Sequence, residues 1–128
     1  MALSSDQMFL GIDLSTQQLK AVIVDSTLNQ IVHEFAVHFD SELPQFKTKD
    51  GCHRSEDGLR ITTPVALWLS AFDLLFEKMA KKNVAFEKIA AVSGSGQQHG
   101  SVYWKSGSRA VLQNLSPQKS LVEQLKVF

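Results

Sequence analysis

Residues 8–25 read MFLGIDLSTQQLKAVIVD, and this stretch decides the fold. Two apolar runs flank the polar turn Ser15-Thr16-Gln17-Gln18, which is a β-hairpin pattern. The first strand is expected over Met8–Leu14 and the second over Leu19–Asp25. Both are apolar at nearly every position, which predicts strands covered on both faces. Asp13 breaks the pattern, because an aspartate is a poor strand residue and is costly to bury without a partner. It ends one strand and opens a turn carrying two hydroxyls. Such a turn can aim hydroxyls, amide side chains and free backbone N–H groups at an anion while Asp13 holds a cation or its water shell. The same residues also suit an ordinary turn in which Asp13 and Ser15 bond locally.

Outward from the hairpin, residues 1–7 are polar and expected to fray. Ser26–Asn29 is a second turn. Residues 30–39 then alternate, with Ile31, His33, Phe35, Val37 and Phe39 on one face. Period two over that length predicts a third strand and hence an antiparallel meander. Residues 40–61, DSELPQFKTKDGCHRSEDGLRI, are irregular and charged, and individually read as a solvated loop. Cys52 and His53 are adjacent, but no further ligand at the right spacing accompanies them, so no metal site is expected there. Thr63 is expected to cap a helix with Pro64 at its first position. Its apolar stripe would be Val65, Trp68, Leu69, Phe72, Leu75, Phe76 and Met79. Lys88–Ser93 reads as a strand parallel to an earlier one. Ser101–Lys105 reads as another strand, and a last helix starts at Ser116 or Ser120.

Composition narrows the classes. A chain of 128 residues is one small domain or a piece of a larger one, and 44% hydrophobic residues suffice for a core. The 13 basic and 13 acidic residues balance, which argues against nucleic acid or an anionic membrane as partner. A single cysteine excludes an internal disulfide framework and fits a reducing compartment. No apolar run is long enough to span a membrane and no secretory signal opens the chain, so a cytoplasmic protein is expected.

A second stretch carries chemistry: Ser93–Gly100, SGSGQQHG. Its glycines allow a ligand close to the backbone. Gln98 and His99 offer donors and acceptors just past the expected C-terminal end of a central strand, where open α/β sheets bind ligands. That pair suits a neutral polyhydroxy compound, although His99 could equally be structural.

Taken in order, Gly11-Ile12-Asp13-Leu14-Ser15-Thr16 and Gly96-Gln97-Gln98-His99-Gly100 resemble the FGGY family of carbohydrate kinases. The runs SGSGQQHGSVYWK and VHFDSELPQFKTKDG resemble its eukaryotic xylulokinase branch. The resemblance covers essentially the whole chain. It implies an α/β fold: the N-terminal part of an actin-like, ribonuclease H-like ATPase domain, with a mixed sheet, an initial antiparallel meander and packed helices. Residues 8–128 would be an incomplete N-terminal domain. By the resemblance, Asp13 orients hydrated Mg2+, Ser15, Thr16 and Gln17 meet the phosphates of ATP, and Lys20 helps neutralise them. Gln98 and His99 bind the sugar, D-xylulose. The family usually has glycine where this chain has Ser15. Its members are also several-fold longer, and their general base and adenine-holding domain come from sequence beyond the equivalent of Phe128. No carboxylate here is an evident substitute, since Asp25 and Asp40 are expected at the far ends of their strands. The implied function is the opening part of a D-xylulose kinase, inactive as this chain alone. A non-catalytic sugar-binding or protein-interacting fragment, and a same-family kinase for another ketose or polyol, remain open. Nothing in the sequence points to a particular oligomeric state.

Overall fold

The hairpin forms where its sequence places it. A computed structural model describes residues 6–28 and 30–125. Strand β1 (Met8–Leu14) pairs antiparallel with β2 (Gln18–Asp25) in a register that sets Asp13 opposite Lys20 and Leu14 opposite Leu19. The turn is closed by the Ser15 amide donating to the Gln18 carbonyl at 3.0 Å. Strand β3 (Ile31–His38) completes the meander, and β6 (Ile89–Gly96) returns parallel to β1. The order across the sheet is β3-β2-β1-β6.

Alternation then sorts the side chains. Leu19, Ala21 and Ile23 of β2, Leu10 of β1 and Val37 of β3 point into one core. The main helix, α2 (Val65–Lys81), lies against that face and contributes Leu67, Ala71, Leu75 and Met79, each fully buried. The expected stripe is therefore rotated. Trp68 and Phe72 flank the contact, while Val65 and Phe76 are 43% and 41% exposed. The contact line runs through small Ala71, where an aromatic ring would hold the helix off the sheet. The helix also starts one residue later than expected. Pro64 occupies the cap position, and the Thr63 hydroxyl is drawn away to the Gly51 carbonyl at 3.0 Å. After Lys81 the chain leaves the helix through Asn83, which takes up φ 54° as asparagine can at a helix end.

Coverage on both faces is not observed. The second face of the sheet is open: Val22 is 36% exposed there, and every residue of β6 but Ile89 is exposed. β6 is an edge strand among the described residues rather than a central one. It is also longer than expected, since the ladder to β1 continues through Leu14 opposite Gly96 and takes in Ser93–Gly96. Backbone pairing needs no apolar side chains, so serine and glycine continue the strand. Ser101–Lys105 forms no strand. After Gly96 the chain turns off the sheet, and Ser101, Val102 and Tyr103 lie beside the start of α2 with no partner strand among the described residues.

Residues 40–61 are more ordered than a loop reading allows. The chain here runs through helix α1 (Phe39–Glu42), a 3-10 turn (Pro44–Phe46) and a small hairpin of β4 (His53–Arg54) and β5 (Ile61–Thr62). Because β3 runs antiparallel to β2, with His38 opposite Gln18, Asp40 sits at the same end as the β1–β2 turn and not at the far end. Glu42 ties three elements together. It accepts the His38 amide at 2.7 Å and pairs with Lys78 of α2, which also donates to the Ala36 carbonyl at 2.7 Å. Two short helices follow β6: α3 (Ser108–Gln113) and α4 (Leu121–Leu125). The latter begins after Ser120, the second of the two starts its sequence allowed. Residues 126–128, Phe128 among them, lie outside the described residues.

Candidate functional site

Strand β1 carries Asp13 on the face away from α2. The parallel ladder sets Ser95 of β6 on one side of it, and the antiparallel ladder sets Lys20 of β2 on the other. The carboxylate accepts two hydroxyl hydrogen bonds, from Ser15 Oγ at 2.6 Å to Oδ2 and from Ser95 Oγ at 3.0 Å to Oδ1. These bonds, the Ser15 one foremost, hold its pKa below the ordinary carboxylate value; partial burial opposes them and the Lys20 charge assists. An ionised carboxylate has about four acceptor positions, so two remain for a cation or its waters. Among the described residues no three of His, Cys, Asp or Glu gather as a metal cage. One carboxylate with two acceptor positions left could hold a hydrated divalent cation through its waters, and supplies too few ligands for an all-protein cage.

The second stretch meets this turn. Gln97 Nε2 donates to the Ser15 carbonyl at 3.4 Å, bridging segments 82 residues apart. A cleft of ≈ 440 Å³ lies between them, lined by Ser15, Thr16, Gly96, Gln97, Gln98 and His99. A larger one of ≈ 530 Å³ opens beside it, where Thr16, Gln97 and His99 face Thr62, Thr63 and Trp68. Asp13 and Lys20 line a third hollow of ≈ 340 Å³ on the open sheet face. Ser15, Thr16, Gln98 and His99 are thus gathered at one end of the β1–β6 pair, with Asp13 and Lys20 adjoining. Gln17 stands exposed at the tip of the turn, outside the lining of these three clefts. Sequence reasoning missed Ser95 and Gln97. Their signal lies in the ladder: extending the parallel pairing to the end of β1 brings Ser95 level with Asp13.

A mixed sheet with a starting meander, a returning parallel strand and packed helices, carrying a carboxylate–hydroxyl turn at the strand ends, defines the actin-like ATPase fold. A solved xyloylose kinase from Brucella ovis superposes with a TM-score of 0.58 at 26% identity, covering 73% of this chain and 17% of that one. No family model matches the chain. Among curated proteins it is 53% identical over 127 residues to xylulose kinase 2 of Arabidopsis thaliana, covering 98% of this chain and 23% of the relative. It is 50% identical over 117 residues to a xylulose kinase of Rattus norvegicus, and 44% identical over 122 residues to one of Saccharomyces cerevisiae. Within the actin-like class, the chain matches the FGGY-family xylulose kinases of the eukaryotic branch over most of its length. It spans between 20% and 23% of the length of these three relatives.

Proposed function

We propose that the chain is the N-terminal part of an ATP-dependent D-xylulose kinase. Residues 8–128 form the opening part of its first domain. The base that accepts the sugar hydroxyl proton and the domain that holds adenine are supplied by sequence beyond Phe128. One observation carries this reading: two motifs 82 residues apart meet at one end of the β1–β6 pair, joining a charged carboxylate to a polar cleft. Asp13 would hold hydrated magnesium, which when bound neutralises charge on the transferring phosphoryl group. Ser15, Thr16 and Gln17 would position the phosphates of ATP, with Lys20 lending positive charge. Gln98 and His99 would orient the ketose, so that its hydroxyl oxygen attacks the terminal phosphorus and displaces ADP. No helix among the described residues is long and apolar enough to cross a membrane.

The test is substrate-dependent ADP release by the longer polypeptide that contains this segment, assayed with D-xylulose, other ketoses, glycerol and gluconate. D-xylulose should give the highest kcat/KM. A preference for another sugar would move the chain to a sister activity, and no sugar-dependent release from a folded, ATP-binding protein would overturn the kinase reading.

A further inference from the structure

Segment 40–63 is built around the hydroxyl turn. Asp40 of α1 accepts three hydrogen bonds: from the Thr48 hydroxyl at 2.7 Å, the Asp50 amide at 2.7 Å and the Gly51 amide at 3.1 Å. Both Asp50 and Gly51 are left-handed, with φ of 55° and 76°, a conformation glycine takes freely and aspartate tolerates. The Gly51 carbonyl is fixed in turn by the Thr63 hydroxyl ahead of α2. Buried Cys52 and its backbone bridge to Lys49 anchor the neighbouring residues. Gly51 is pressed against the turn itself. A Cβ there would lie 1.9 Å from the Thr16 carbonyl oxygen and 3.1 Å from Gln17 Cα. Beside it the Phe39 amide donates to the Gln17 carbonyl at 3.0 Å.

We propose that Asp40 and Gly51 are positioning residues for the Ser15–Gln17 turn, with the Asp40 carboxylate fixing the Asp50–Gly51 backbone and Gly51 setting where the Thr16 peptide lies. A solvated excursion would not place a left-handed glycine in backbone contact with the turn, nor collect three donors on one carboxylate. A larger residue at 51 would collide with the Thr16 peptide and displace a residue that lines the cleft. Only the kinetic consequence rests on reading the turn as a phosphate cradle.

Amide hydrogen exchange on the full 128-residue chain tests the clamp directly. Asp40→Ala should speed exchange at the Ser15 and Phe39 amides by roughly tenfold or more while the β1–β2 ladder changes less than about twofold. Asp40→Asn, which keeps an acceptor, should restore part of the protection. Thr48→Val, a milder change, should give the same local pattern at smaller size if Asp40→Ala does not fold. Unchanged exchange at Ser15 and Phe39, or equal acceleration throughout the ladder, would overturn the proposal. In the longer enzyme the same variants should raise KM for ATP by roughly threefold to tenfold and leave KM for the sugar nearly fixed. If the amides loosen and KM for ATP does not move, the clamp stands and the phosphate reading of the turn falls.

Discussion

At the scale of single residues, Asp13 is the group on which most depends. Two hydroxyls and Lys20 hold it ionised, and Asn at 13 keeps the shape while removing the charge. In the longer enzyme Asp13→Asn should lower turnover on the order of a hundredfold, the size of effect seen when one preorganised electrostatic group is removed. Steady-state kinetics at saturating magnesium would show it, and near-normal turnover would remove Asp13 from the metal site. His99 lines the cleft, and in the proposed function it meets the sugar. His99→Ala should reduce kcat/KM for the sugar by roughly tenfold to a hundredfold, as for a lost hydrogen bond of about 1–3 kcal/mol, with KM for ATP nearly intact. Equal damage to both substrates would mark it as a structural histidine. Asp13 and His99 were conspicuous in the sequence because each breaks its local pattern, an acid at the end of an apolar strand and a histidine among glycines. Ser95 was not, because a serine in a glycine-rich run gains meaning only from the strand that pairs beside it.

At the scale of elements, the meander was legible because period-two alternation and short turns are local signals. The register of α2 was not. The expected stripe runs through Trp68, Leu69 and Phe72, whereas the contact runs through Leu67, Ala71, Leu75 and Met79, where the helix can approach the sheet closely at Ala71. The role of residues 40–61 was hidden for a similar reason, since the direction of β3 decides which end of the sheet Asp40 reaches. The Glu42–Lys78 pair joins α1, α2 and β3, with both side chains about a third exposed or less. Lys78→Met should cost about 1–2 kcal/mol, between an exposed ion pair and a buried charged hydrogen bond. Burial pushes the Glu42 carboxyl up, but the Lys78 hydrogen bond, the His38 amide and the Lys78 charge together bring it below its ordinary value. A lowered folded pKa means a contribution fully present above the ordinary carboxylate value and lost as pH falls through the lowered one. The cost of Lys78→Met, read from urea midpoints, should therefore shrink below about pH 4. A cost independent of pH would place it in lost packing alone.

At the scale of the whole molecule, the chain has a core on one side of its sheet and exposed apolar residues on the other. Val22 stands 36% exposed on that face, Ile31, Val32 and Val92 are exposed on the edge strands, and β3 and β6 are both free edges among the described residues. Open edges and apolar faces favour association. Purified 1–128 should therefore self-associate in a concentration-dependent way by sedimentation, and a monodisperse monomer at high concentration would contradict this. It should also release no ADP in response to D-xylulose, because the positioning of two substrates can contribute about 7–11 kcal/mol and needs both held in line. Turnover at an ordinary kinase rate would mean that the reacting groups lie within these 128 residues.

The bond between Ser95 and Asp13 joins residues 82 positions apart, whereas β1, β2 and β3 are joined by tight turns. Closing a long chain segment is entropically slower than closing a short one, and distant parallel pairing is slow to form. The meander and α2 should thus gain structure first and β6 last, during synthesis as well as on refolding. Pulse-labelled exchange should find β2 and β3 amides protected before those of β6, and simultaneous protection would refute this order. A partly made chain on the ribosome would then possess a core and an Asp13 carboxylate, but not yet the second wall of its binding cleft.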